Sequence, residues 1–274
     1  MKITNLQPEK YKRFFAFGCS FTNYKWMTWA DIIARDVEYY ENWATPGAGN
    51  HFIFNSFMEA DARHKFDQDD LIIIFWSTKE REDRYYNNAW LNDTNVTQEK
   101  TYGKDWFKKF SLDFRSFLIR DLAMIKAVQT ILAHKQCDWA NFAWYEFFNS
   151  AELREPFKDP KNKEHILHMW QEQSKSVYNG HSVAEFFDDT DVIKVYQDVF
   201  ENIDAVYKWY ETSHVTNRKV PDDNHPSPAE ALNFLDWVWP HNTISSATRL
   251  HVADCESKLP ASFDPPIRRP IVRL

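Results

Sequence analysis

Two kinds of hydrophobic pattern alternate along the first half of the chain: short runs apolar at every position, and longer stretches with apolar residues at helical spacing. Phe14-Phe15-Ala16-Phe17 is the first short run and reads as a buried strand ended by Gly18. Trp26 to Arg35 then carries apolar residues at helical spacing with no breaker, which predicts a helix. Tyr39 to Ala44 reads as a second short strand, closed by the dense turn signal Thr45-Pro46-Gly47-Ala48-Gly49-Asn50. Phe52, Phe54, Phe57 and Met58 predict a second helix over His51 to Arg63, so the glycine turn feeds a helix N-terminus, where unpaired N–H groups suit an anionic oxygen. Asp70 introduces Leu-Ile-Ile-Ile-Phe-Trp, apolar throughout and rich in β-branched residues, as expected of a parallel strand covered on both faces.

Beyond Trp76 the pattern is less regular. Residues 82–110 are polar and aromatic by turns, with Asn87-Asn88 and Asn92-Asp93, and are expected to form an excursion from the core in the manner of a lid. Glu80-Arg81-Glu82-Asp83-Arg84 reads as a solvated ion-pair run, Arg81 excepted. A long helix is predicted over Leu112 to Lys135 and a fourth strand over Cys137 to Tyr145. Residues 146–220 turn charged and helical, near 161–175 and 191–213, as a helical insertion would. Ser227-Pro228-Ala229-Glu230 is a capping box with proline at the first helical position, and Leu232, Leu235 and Trp239 continue at helical spacing. Residues 241–274 show little regular pattern and read as a C-terminal extension that wraps the surface or meets a protein partner. Strands alternating with helices predict one α/β domain over residues 1–274 with a parallel sheet.

Composition narrows the function. The 33 basic and 40 acidic residues give a formal charge of −7, with no basic stripe, which argues against nucleic acid as a partner. Cys19, Cys137 and Cys255 are odd in number and widely spaced, so a disulfide framework is not expected and a reducing compartment is. The N-terminus has no apolar signal core and no stretch is apolar enough to span a membrane, so the expected location is the cytoplasm, off the membrane. Aromatics make up 17% of the residues, mostly for core packing, with exposed rings that could stack on sugars or bases the alternative use. Glycine is scarce, at 5 residues where ordinary usage would give roughly 19, yet Gly18, Gly47 and Gly49 cluster near the N-terminus. Such clustering marks backbone geometry that other residues would not satisfy.

Candidate chemistry starts at Ser20, which follows the first strand where open α/β sheets keep their sites; capping of the next helix by Ser20 and Thr22 is the structural alternative. The glycine turn follows the second strand, and Asp222-Asp223-Asn224-His225-Pro226 lies near the C-terminal end. Gly18-Cys19-Ser20, then Asn42 with Gly47, then Asp222, His225 and Pro226 resemble, in order and local wording, the blocks of the SGNH (GDSL-like) hydrolase family. The resemblance covers about residues 13–239 through short motifs, of which Asp222-x-x-His225-Pro226 before a capped helix is the most specific.

The resemblance implies a three-layer, flavodoxin-like α/β fold carrying the helical insertion and the C-terminal extension. It implies Ser20 as nucleophile, His225 as its general base and Asp222 as the residue orienting the imidazole, with Asp223 a competing neighbour of Asp222. It places the backbone N–H groups of Ser20 and Gly47 around the oxyanion, requires no cofactor or metal, and points to acyl esters, acetylated carbohydrate among them. Acyl transfer to a glycan, or a catalytically silent scaffold for binding or assembly, are the rival readings. The chain departs from the family after the third strand, where a side-chain oxyanion donor, asparagine, is replaced by Trp76-Ser77-Thr78. Ser77, Thr78, Arg81 and Asn50 are candidate replacements, and Asn50 is favoured because it follows Gly47 closely. Cys19 in place of the family's aspartate reads as packing, with a nucleophilic role the alternative. Glu164, His165 and His168 could form part of a metal site, but solvation or packing explains them better.

Overall fold

The computed structural model describes residues 2–78, 81–95, 114–143, 177–178, 181–182, 204–205, 223 and 225–259. Strand β1 (Arg13–Phe17) leads through helix α1 (Trp29–Ala34) to β2 (Tyr39–Asn42), and helix α2 (Asn50–His64) leads to β3 (Asp70–Trp76). A hairpin of β4 (Arg81–Tyr86) and β5 (Ala89–Asn95) follows, then helix α3 (Phe114–His134) and β6 (Asp138–Ala143). Two-residue strands β7 (Val177–Tyr178) and β8 (His181–Ser182) pair with each other, and β9 (Asp204–Ala205) returns to the main sheet. Helices α4 (Pro228–Val238) and α5 (Ser246–Ser257) close the described chain.

The main sheet has the order β2-β1-β3-β6-β9 and every pairing in it is parallel. Parallel neighbours need long crossovers, and α1, α2 and α3 supply them. This order is compatible with a flavodoxin-like α/β fold. Successive residues of β1 face opposite layers. Phe14 stacks on Tyr40 and meets Trp29 of α1, while Phe17 packs edge-on against Phe57 of α2. On the first of these faces Phe75 and Phe142 both pack against Phe234 of α4. Every residue of β3 is buried, as a strand roofed on both sides must be.

Three expectations need correction, and the excursion expected after Trp76 takes a definite form. Helix α1 starts at Trp29 because Thr28 caps it: the backbone N–H and hydroxyl of Thr28 both donate to Asp31 Oδ2 at 2.9 Å. Residues 81–95 form a hairpin whose turn, Asn87-Asn88, has φ of 50° and 59°, the left-handed pair that suits a two-residue connection. Asp204 and Ala205, expected in a helix, instead extend the sheet beside Phe142 and Ala143. The tail is not patternless. Asp36 accepts from the Ser245 N–H and hydroxyl and from the Thr248 hydroxyl, fixing the start of α5 against the end of α1. The remaining expectations for 144–220, including the predicted helical segments, and those for residues 260–274 lie outside the described residues.

Candidate active site

The ends of β1, β2 and β3 open into three loops, and side-chain to main-chain hydrogen bonds lace the first two together. The Asn42 amide donates to the Thr22 carbonyl at 2.8 Å, and its oxygen accepts the Ala44 N–H at 3.0 Å. The Asn23 amide donates to the Ala44 carbonyl at 2.7 Å. Asn42 therefore fastens the start of the glycine loop to the loop that carries Ser20. Gly47 within that loop has φ 78°, a left-handed conformation in which a side chain would be strained.

His225 is held by the residues that follow Ser20. Tyr24 lies face to face with the imidazole, ring centroids 3.7 Å apart at 15°, and Phe21 packs at 5.2 Å. The Tyr24 hydroxyl donates to Asp223 Oδ2 at 2.7 Å, and Lys25 Nζ lies 3.1 Å from the same oxygen. The Trp26 indole donates to the Pro226 carbonyl at 2.7 Å. Folding thus brings the serine loop and the histidine loop to the same place.

Asp223 sits at the imidazole. His225 Nδ1 is 2.8 Å from Asp223 Oδ1, which also accepts the His225 backbone N–H at 3.0 Å. Burial works against the Asp223 charge, but the donors from His225, Tyr24 and Lys25 overcome it and hold the carboxyl well below the usual range. An ionised carboxylate only accepts, so Nδ1 carries the proton and Nε2 keeps a lone pair, with no partner among the described residues. Burial lowers the His225 pKa, and the positive charges of Arg81 and Lys25 add to the effect against the opposing pull of Asp223. The ring is therefore neutral at pH 7, as a general base must be. Asp222, expected in the orienting role, lies outside the described residues.

Ser20 is 4% exposed, and its hydroxyl has no hydrogen-bond partner among the described residues. The backbone N–H groups of Ser20 and Gly47 are likewise unengaged among the described residues. Cys19 is buried in the core cluster, which fits its packing role.

Asn50 does not fill the oxyanion role expected of it. Its two amide hydrogens go to the Ser77 carbonyl at 3.0 Å and Asp121 Oδ2 at 2.7 Å, and its oxygen accepts the Ser77 N–H at 2.7 Å. Asn50 instead welds the end of β3 to the first turn of α2 and to α3. Ser77 is fully enclosed, and Thr78 accepts the Arg81 N–H through its carbonyl at 3.3 Å. Burial raises the Asp121 carboxyl, to about 7, against the opposing pull of Arg120 and Asn50.

Nor is the N-terminus of α2 free to hold an anion. Asp83 occupies it, accepting the N–H groups of Gly49 and Phe52 at 2.8 Å each. A Cβ on Gly49 would stand 2.8 Å from Asp83 Oδ2 and 2.9 Å from Arg81 Cβ, so β4 can lie over the loop only because residue 49 is glycine. Among the described residues of the ion run Arg84 is solvated as expected, whereas Glu82 and Asp83 are buried, and Glu82 pairs with Arg84 at 2.8 Å and with Arg120. Arg81 donates from Nη1 to the Ala48 carbonyl at 3.0 Å.

Sequence reasoning did not find Tyr24, Trp26 or Asp83. Tyr24 and Trp26 carried one signal, their closeness to Ser20; Asp83 carried none apart from its place in a charged run. Among the described residues no group of three His, Cys, Asp or Glu side chains could hold a metal ion, and Glu164, His165 and His168 lie outside them. No family model, no curated protein and no solved structure matches the chain.

Proposed function

We propose that this chain is a serine hydrolase of the SGNH type that cleaves acyl esters, with Ser20 as nucleophile, His225 as base and Asp223 as the residue orienting the imidazole. The observation that carries the reading is the clamp on His225: Tyr24, four residues after Ser20, stacks on the ring and donates to the aspartate that holds it. A histidine with a protonated Nδ1, an Nε2 without a partner among the described residues and a lowered pKa is poised to take a proton from a hydroxyl.

In the proposed reaction the Ser20 oxygen attacks the ester carbonyl while its proton passes to His225 Nε2. The N–H groups of Ser20 and Gly47 receive the charge that builds on the carbonyl oxygen. The ester C–O bond then breaks, the alcohol leaves with the proton from Nε2, and an acyl-serine remains. Water, deprotonated by the same nitrogen, releases the carboxylic acid and restores Ser20. A positioned base contributes about 10²–10⁴-fold to such steps. Tyr85 and Tyr86 are exposed on the hairpin that begins at Arg81, rings suited to stacking on sugars, and support an acylated carbohydrate as substrate.

One observation favours the rival reading of a silent scaffold: Asn50, the side-chain amide nearest the glycine loop in sequence, is fully engaged elsewhere. A fluorophosphonate probe separates the two. Covalent labelling of the full chain that disappears in Ser20→Ala supports the hydrolase; absence of labelling between pH 6 and 9 leaves the scaffold.

A further inference from the structure

We propose that the guanidinium of Arg81 is the third donor to the oxyanion, a charged group serving where an asparagine amide would be expected. The inference rests on the hydrolase reading and adds to it the residue that completes the site.

Among the described residues Arg81 is the one charge around the glycine loop without a counter-charge. Glu82 pairs with Arg84 and Arg120, Asp83 is consumed by two backbone N–H groups, Asp121 pairs with Arg120, and Lys25 pairs with Asp223. Among the described residues no carboxylate pairs with Arg81, and its side chain makes one hydrogen bond, from Nη1 to the Ala48 carbonyl. That bond anchors one corner of the fork on the residue next to Gly47 and leaves the other N–H groups available. A partly buried cation held this way, with no anion of its own among the described residues, is completed by one that arrives with the substrate or forms during reaction.

Its neighbours indicate the second. The guanidinium is close enough to His225 for its charge to oppose protonation of the ring, and it is fixed to the loop that offers the Gly47 N–H. Fixed at Ala48, next to Gly47, it is in place to reach the carbonyl oxygen that gains charge as the serine attacks. Of the competing donors Asn50 is spent on Ser77 and Asp121, and the Ser77 hydroxyl, though without a hydrogen-bond partner among the described residues, is sealed from any substrate by complete burial. A fork of N–H groups bearing full charge can replace a neutral amide, and a removed oxyanion donor typically costs 10²–10³ in rate.

The experiment uses the full chain with p-nitrophenyl acetate, a neutral ester whose ground state gives Arg81 no charge to bind. In Arg81→Gln, kcat is expected to fall about 10²–10³-fold with KM changed less than about threefold, and the rate of fluorophosphonate labelling to fall in parallel. Arg81→Lys is expected to recover part of kcat, because it restores the charge without the fork. Thermal unfolding of Arg81→Lys at the midpoint of the unsubstituted chain excludes a folding defect. A chain that labels at Ser20 but whose kcat is indifferent to Arg81, or whose KM alone rises, overturns the Arg81 role and leaves the hydrolase standing. A chain that does not label at all overturns both.

Discussion

Tyr24 and His225 stack at 3.7 Å although the two residues come from opposite ends of the chain, and the tyrosine hydroxyl reaches past the ring to Asp223. The tyrosine thus sets both the plane of the imidazole and the position of the carboxylate beneath it. Tyr24→Phe keeps the stacking and removes one hydrogen bond to a charged group, so kcat/KM is expected to fall about tenfold. Tyr24→Ala removes both and is expected to fall at least tenfold further, measured as ester turnover at pH 7.5.

Asp223, by its contact with Nδ1, is expected to matter far more than its neighbour. Asp223→Asn should lower kcat by about 10⁴-fold, the size of effect seen when the orienting carboxylate of a triad is neutralised. Asp222→Asn is expected to remain within a few-fold of the unsubstituted chain. The reverse ranking in steady-state kinetics would hand the orienting role back to Asp222.

The pH profile follows from the lowered pKa of His225. Only the neutral ring accepts a proton, so kcat/KM should rise with pH and reach half its plateau below the ordinary histidine value of about 6.5. Stability has the same sign. The folded ring binds its proton less readily than the unfolded one, so stability declines as pH falls below about 6.5 and the loss is complete below the folded pKa. Replacing Lys25 by Ala removes a positive neighbour and should move the acid limb upward; a limb that stays put or moves down counts against the assignment.

Capping of α2 is open to a direct stability measurement. Asp83→Ala leaves the Gly49 and Phe52 N–H groups buried without acceptors, at an expected cost of about 2 kcal/mol in urea unfolding. Gly49→Ala should also destabilise, by pushing the new methyl into Asp83 and the Arg81 backbone. If neither variant shifts the midpoint, β4 does not hold the glycine loop as described.

Asn50→Ala strips partners from both backbone groups of Ser77 and from Asp121. An expected loss of about 3 kcal/mol follows from leaving such buried groups unsatisfied. Asn50→Asp keeps the acceptor but sets a carboxylate against Asp121, so it should be rescued by lowering the pH, a response visible in thermal melts.

What could be read from the sequence was local. Phe14-Phe15-Ala16-Phe17 and the run after Asp70 declare buried strands by themselves, and Ser227-Pro228-Ala229-Glu230 announces its helix through the bonds seen between Ser227 and Glu230. Ser20, Gly47 and His225 were legible because each sits at a punctuation mark in that pattern. Asp83 was not, because a buried cap and a solvated charge look alike until the partner, 34 positions away, is known. Helix α5 was missed because only Thr248 and Val252 are buried along it, too narrow a stripe to stand out. Asp204-Ala205 is a strand through its ladder with Phe142 and Ala143, information that no two-residue segment carries.

Phe142 stands level with Asp204, and Ala143 with Ala205, so the polypeptide that departs after Ala143 is back beside its own point of departure by Asp204. A detour closed at its neck is a replaceable cassette. Doubling its length would add only about 0.6 kcal/mol of closure entropy. A different module could be grafted there while β1, β3, β6 and β9 keep their register, so this architecture can gain or lose a whole segment at one place without disturbing its sheet.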